Sequence, residues 1–193
     1  MNPKFLVSTL ATAVALSFSA TAIAKDTSNK EQRFEQITVI GSQQAINDIP
    51  GSATFISEEE LQKFQFTDIS RVLASVPGVY VQEEDGYGLR PNIGMRGTGT
   101  GRNDKISVME NGVLVAPAPY SVPSAYYFPT MGRMESIEVL KGAASVKYGP
   151  RTTGGVLNLL SRSLPTEPNS SKGMVDAALC SDGYYKGHAY FGK

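Results

Sequence analysis

Cysteine and histidine are nearly absent from this sequence of 193 residues, which has one of each, Cys180 and His188. A single thiol excludes an intrachain disulfide and any metal site built on several thiolates. A single imidazole excludes the two-histidine zinc motifs and leaves only His188 to serve a Ser/His/Asp triad. No excess of either charge is present: Lys plus Arg is 18, Asp plus Glu is 18, and the formal net charge is zero. Binding to phosphates by charge alone needs a basic excess, so nucleic acid is not expected as a partner. No Walker A string occurs. Gly97-Thr98-Gly99-Thr100-Gly101 is followed by Arg102, where a dinucleotide fingerprint would have its third glycine. Nucleophile, base and orienting group cannot be assembled, so the sequence predicts no catalytic residues, no metal site and no resident cofactor. Turn formers, by contrast, are plentiful, with 19 Gly and 11 Pro. That proportion is high, yet below the level of low-complexity sequence. The length suits one domain, or one domain with appendages.

The N-terminus reads as a leader. Lys4 supplies a basic start, Phe5 to Ala24 carries no charge, and Ala22-Ile23-Ala24 precedes Lys25-Asp26. That is the order of a cleavable secretory signal peptide over residues 1–24. Ser8, Thr9, Thr12, Ser17, Ser19 and Thr21 dilute the segment as a membrane span, which is the competing reading. Cleavage after Ala24 leaves 169 residues of net charge −1. An exported chain without disulfides suits a bacterial envelope.

Residues 25–41 form a polar arm that ends in a β-prone heptad, Phe34 to Ile40, stopped by Gly41. Two readings stand: the first strand of a core, or an extended peptide offered to the sheet edge of a partner. Ser57-Glu58-Glu59-Glu60 is a capping box and predicts a helix to about Phe64. Thr67 or Asp68 caps a second helix, whose apolar face is Ile69, Val72, Leu73 and Val76 and whose stop is Pro77-Gly78. Val79-Tyr80-Val81 reads as a strand, and Gly86 to Gly101 as loop except around Ile93 to Arg96. Ile106–Glu110 and Val113–Val115 flank Asn111-Gly112, a hairpin signal because both turn residues tolerate positive φ. Ala116 to Pro129 reads as an ordered loop, Ser136 to Leu140 as a strand, Ala143 to Tyr148 as a helical turn and Val156 to Ser161 as a further strand. The sum is α+β: a short mixed sheet with small helices and long loops, over residues 42–165.

Beyond Pro165-Thr166-Glu167-Pro168 the pattern changes. Gly173 to Cys180 and Gly187 to Phe191 read as strands around the turn Ser181-Asp182-Gly183. Glu83-Glu84-Asp85 offers acidic groups to a cation, but no further ligand with a known spacing joins it, so a solvated loop is the better reading. Arg90, Arg102, Asn103, Tyr120, Ser121, Tyr126 and Tyr127 fall in Gly/Pro-rich loops, where binding residues concentrate. Arginine forks match carboxylate geometry and tyrosine adds a flat face with a hydroxyl. Together they imply a small, anionic, oxygen-rich ligand.

Several blocks resemble one known family in order and spacing. They are Arg71-Val72-Leu73 with Pro77-Gly78-Val79; Ile93-Gly94-Met95-Arg96-Gly97; Glu110-Asn111-Gly112-Val113; Met134 to Gly149; and Gly154-Gly155-Val156-Leu157-Asn158-Leu159. Over about Ile37 to Arg162 the chain resembles the plug domain of TonB-dependent outer-membrane receptors. Ala116 to Tyr120 and Lys147 to Arg151 are most similar to the ferric dicitrate and ferric siderophore branch.

The resemblance implies a plug seated in a 22-stranded β-barrel in the outer membrane, with its N-terminus in the periplasm. It implies a ferric siderophore or ferric citrate as transported substrate. It also implies a TonB box at Glu35, Gln36, Ile37, Thr38 and Val39, which pairs with TonB, itself worked by ExbB/ExbD. The family's plug arginines that pair with barrel glutamates map to Arg96 and Lys141; lysine keeps the charge and loses the bidentate fork. Glu110 stands where the family usually has Asp. In such a molecule Cys180 reads as a barrel-facing thiol and His188 as a loop imidazole.

Twenty-two strands of about ten membrane residues need on the order of 220 residues. Residues 166–193 hold one or two. The expectation is therefore the N-terminal part of a transporter, a fragment whose barrel partner is missing. The alternative is a stand-alone, soluble periplasmic module that binds a chelate or TonB.

Overall fold

The computed structural model describes residues 38–84, 90–99, 101–116, 128–165 and 169–193, apart from the side chains of residues 64, 102 and 116. Nine strands and two short α-helices are seen among them. The strands are β1 (Ser52–Ile56), β2 (Val79–Glu83), β3 (Pro91–Met95), β4 (Ile106–Glu110), β5 (Val113–Ala116), β6 (Met134–Lys141), β7 (Gly155–Ser161), β8 (Lys172–Leu179) and β9 (Tyr185–Gly192). The helices are α1 (Glu58–Phe64) and α2 (Ile69–Leu73).

The central sheet has the order β1-β6-β7-β4-β5, with β4 and β7 parallel and the other pairs antiparallel. β2 pairs with β3, and β8 with β9, in two separate antiparallel ribbons. The expected α+β mixed sheet is the observed architecture. Strand β1 had no counterpart in the sequence reading: Ser52-Ala53-Thr54 is weakly apolar, and its place at the sheet edge depends on pairing with β6.

Local chemistry explains the helices. The Ser57 side chain accepts from the Glu60 amide, and the Glu60 side chain accepts from the Ser57 amide, so both bonds of the capping box are made. Asp68, rather than Thr67, caps α2 by accepting from the Arg71 amide. Asn111 and Gly112 both take positive φ, 52° and 77°, as the two-residue hairpin requires.

The sheet has two different faces. On one, Ile137 and Val139 of β6, Leu157 and Leu159 of β7 and Ile106 and Val108 of β4 pack against Ile69, Val72, Leu73 and Val76. Val79, Ile93 and Met95 of the β2–β3 ribbon close this main core. Full burial of each such side chain is worth about 1.5–3 kcal/mol. On the other face Met109, Leu140 and Val156 form a smaller cluster, covered by Val39, Ile49 and Tyr148.

The β8–β9 ribbon alternates cleanly. Val175, Leu179, Tyr185 and Phe191 point outward at 81%, 85%, 80% and 74% exposure. Lys172, Met174, Asp176, Lys186, His188 and Tyr190 take the half-buried positions of the opposite face. His188 corrects its reading as a loop imidazole: it lies in mid-strand, consistent with the strand expected over Gly187 to Phe191, and its Nδ1 is 3.2 Å from Oδ2 of Asp176 on the paired strand. Cys180 is exposed in the turn that follows β8. Among the described residues no helix is long and apolar enough to cross a membrane, which says nothing of strands.

Candidate functional site

Of the five box residues, Glu35, Gln36 and Ile37 lie outside the described residues. Thr38 is exposed and Val39 half-buried, and neither they nor Ile40 belong to a strand. The described end of the β-prone heptad is therefore not the first strand of the core. It is held instead by a side chain. Glu138, fully buried on β6, accepts from the amides of Val39 (2.7 Å), Ile40 (2.9 Å) and Gly41 (2.7 Å). Its fourth donor is Asn158 Nδ2 on β7, at 2.8 Å, directly opposite in register. The Tyr148 hydroxyl donates to the Val39 carbonyl at 3.2 Å. Burial and the Glu138 charge push the Tyr148 phenol above its ordinary range.

Arg96 and Lys141 lie near one another. Arg96 takes φ 53° at the end of β3 and is exposed, and its amide donates to the Gly78 carbonyl. Its Nη1 lies so near Gly142 that a Cβ there would meet it at 2.7 Å. Lys141, 3% exposed, donates from Nζ to the Pro77 carbonyl at 2.6 Å. Burial, and then repulsion from Arg96, hold the Lys141 ammonium below the usual lysine range. Neither cation forms an ion pair with a carboxylate among the described residues. Two like charges held close favour an arriving anion.

The loop set divides. Arg90 is exposed beside β3. The backbone of Arg102 sits in a 3-10 turn, Gly101–Asn103. Asn103 is buried at 3%, in a left-handed conformation, with Oδ1 accepting from the Ile93 amide and Nδ2 donating to the Pro91 carbonyl at 3.0 Å. Both ends of that side chain brace β3, which differs from the loop-surface position expected of it. Tyr120, Ser121, Tyr126 and Tyr127, with the rest of that loop, lie outside the described residues, as does Asp85. Among the described residues no group of three or more His, Cys, Asp or Glu is placed to hold a metal. An open groove of about 330 Å³ lies elsewhere, between β1 and the two helices near Phe55, Leu61 and Phe66.

Polar contacts tie the β8–β9 ribbon to the sheet. Lys172 Nζ lies 3.3 Å from both Glu58 and Glu135. Arg162 pairs with Glu58 and stacks over the Tyr190 ring at 4.4 Å. Lys186 donates to the Gln65 carbonyl at the C-cap of α1, where a cation suits the helix dipole. Sequence reasoning missed Glu138, Asn158, Glu58 and Arg162. A signal existed for Glu138: it is the charged residue inside the otherwise apolar run Ile137 to Leu140.

The model of the family described as "TonB-dependent Receptor Plug Domain" matches residues 45–156. Among curated proteins, the vitamin B12 transporter BtuB of Photobacterium profundum is 32% identical over 150 residues, 78% of this chain and 23% of that protein. The iron-regulated outer membrane virulence protein of Vibrio cholerae is 31% identical over 156 residues, 79% of this chain and 23% of that one. This chain thus spans about a quarter of the length of these relatives. Among solved structures, the unliganded ferric citrate transporter FecA superposes with a TM-score of 0.59 at 25% identity, over 79% of this chain and 26% of that one. The siderophore receptor PirA of Acinetobacter baumannii gives 0.50 at 26% identity, over 72% and 20%.

Proposed function

Because the chain belongs to the TonB-dependent receptor plug-domain family, we propose that it is the plug part of an outer-membrane transporter for ferric chelates, energised through a TonB box at Glu35 to Val39. It acts by binding and moving, without a catalysed reaction. One observation carries the reading. A plug-type sheet is joined, within one chain, to a ribbon that is apolar outward and polar toward the plug. That alternation is what a barrel strand needs between lipid and lumen. It supports an outer-membrane location with the plug in the lumen.

Arg96 and Lys141 supply the cationic partner for carboxylates of the barrel wall. The cargo is a ferric siderophore or ferric citrate. The relative named for vitamin B12 widens the class, while Arg90, Arg102 and the loop tyrosines favour an anionic, oxygen-rich chelate. TonB, driven by ExbB/ExbD, pairs with the box by backbone hydrogen bonds, for which a short extended peptide suffices.

The test is transport of radiolabelled ferric chelates by cells that make the receptor containing this plug. Ile37→Pro removes a backbone donor and resists strand pairing. Energised uptake is expected to fall to the level of a strain lacking TonB, while chelate binding to whole cells persists. Normal uptake by Ile37→Pro would dismiss the box, and no binding of any ferric chelate would dismiss the cargo class.

A further inference from the structure

A fully buried carboxylate is among the costliest groups a protein can hold unless donors surround it. Glu138 is such a group. Three of its four donors among the described residues are the successive amides of Val39, Ile40 and Gly41, which come from 97 to 99 residues earlier in the chain. Successive amides aimed at one anion form a nest, a backbone site for negative charge. The relation here runs both ways. The carboxylate holds a segment that belongs to no strand, and the segment supplies the donors that make the carboxylate tolerable there. The fourth donor, Asn158, carries the network on, since its Oδ1 accepts from the Gly112 amide of the β4–β5 turn at 2.9 Å. Val39 meanwhile lies over Met109, Leu140 and Val156.

We infer that Glu138 is a clasp that makes withdrawal of the N-terminal segment and loosening of this sheet face a single event. Tension applied ahead of Val39 pulls the three amides from the carboxylate. Among the described residues Glu138 then keeps Asn158 as its donor, on a face that has also lost the cover of Val39. Water must enter to solvate it, and the face that admits water is formed by the paired strands β6 and β7. A neutral side chain at this position would let the segment leave without that consequence. The source of the tension rests on the box reading above; the clasp itself does not.

Amide hydrogen exchange on the whole chain tests it. In Glu138→Gln one acceptor oxygen becomes an amide donor facing other donors. Exchange at Val39, Ile40 and Gly41 is expected to rise about tenfold or more, with β6 and β7 amides still protected. Removal of residues 1–41 is expected to lower protection in β6 and β7 about tenfold with Glu138 present, and less than about twofold in Glu138→Gln. Equal losses in both backgrounds, or unchanged exchange at residues 39–41, would overturn the clasp. Should Glu138→Gln fail to fold, Tyr148→Phe removes one bond to the segment and leaves the carboxylate alone. It is expected to raise exchange at residues 39–41 severalfold without changing β6 and β7, and no change would count against the proposal. Binding of the periplasmic domain of TonB is measured alongside. If that domain binds no form of the chain while the exchange changes persist, the box reading fails and the clasp stands.

Discussion

Asn103, 3% exposed, turns both its carbonyl oxygen and its amide nitrogen to backbone groups of β3. Removing it orphans the Ile93 amide and the Pro91 carbonyl, both buried. Asn103→Ala is expected to cost about 1–3 kcal/mol, the desolvation penalty of such groups, as measured by urea denaturation. A residue that only contacted cargo would leave the unfolding midpoint unchanged. Glu135 sets a pH dependence. Burial pushes its carboxyl up, but hydrogen bonds from Ser163 and Lys172 outweigh that and hold the folded value below the ordinary one. The folded form therefore binds its proton less readily than the unfolded one. The stability so gained is fully present above the unfolded value and is lost as pH falls through the folded value. Glu135→Gln is expected to lower the melting temperature at neutral and alkaline pH and to leave the most acid values little changed, so the acid limb flattens.

Elements that carry their own punctuation are the ones their residues announce. The Asn111-Gly112 turn, the Ser57 box and the apolar stripe of α2 each show their signal within a few residues, so a short window suffices to read them. Ser57→Ala removes the acceptor for the Glu60 amide and is expected to cost about 1 kcal/mol, checked by thermal unfolding. In a helix of seven residues the cap matters more, because few internal bonds offset nucleation. Strand β1 is the opposite case. Its five residues have no strong alternation, and their partners, Ile137 to Lys141, lie 81 to 89 residues further along the chain. The heptad ending at Ile40 misled in the same way as to the core-strand reading. β-propensity records fitness for a half-buried extended surface. The described end of the heptad meets a carboxylate instead of a strand.

For the molecule as a whole, the ribbon β8–β9 decides how the plug is read. Its outward face carries Val175, Leu179, Tyr185 and Phe191 among small residues and no charge, and Lys172 and Lys186 on its inward face bond to the plug. Val175→Lys, on the outward face, is expected to destabilise the membrane-inserted receptor by about 2–4 kcal/mol if the site lies near the bilayer midplane. Denaturant unfolding in lipid vesicles measures this, and an unchanged midpoint would argue that the face does not meet lipid. Lys186, on the inward face, donates one exposed hydrogen bond to the Gln65 carbonyl, so its loss is expected to be far milder.

The sequence by itself determined what is local or ordered along the chain. The family blocks from Arg71 to Leu159, the capped helices, the hairpin and the alternation of the last two strands all lie in short spans of residues. The absence of Cys and His chemistry follows from composition alone. Tertiary structure decided what depends on contacts between distant segments. It set Asn103 inward as a brace, brought Lys141 close to Arg96, set His188 beside Asp176, and placed Glu138 under residues 39–41. The physical reason is common to all four: a charged or amide side chain takes its role from its donors and acceptors, and those come from elsewhere in the chain.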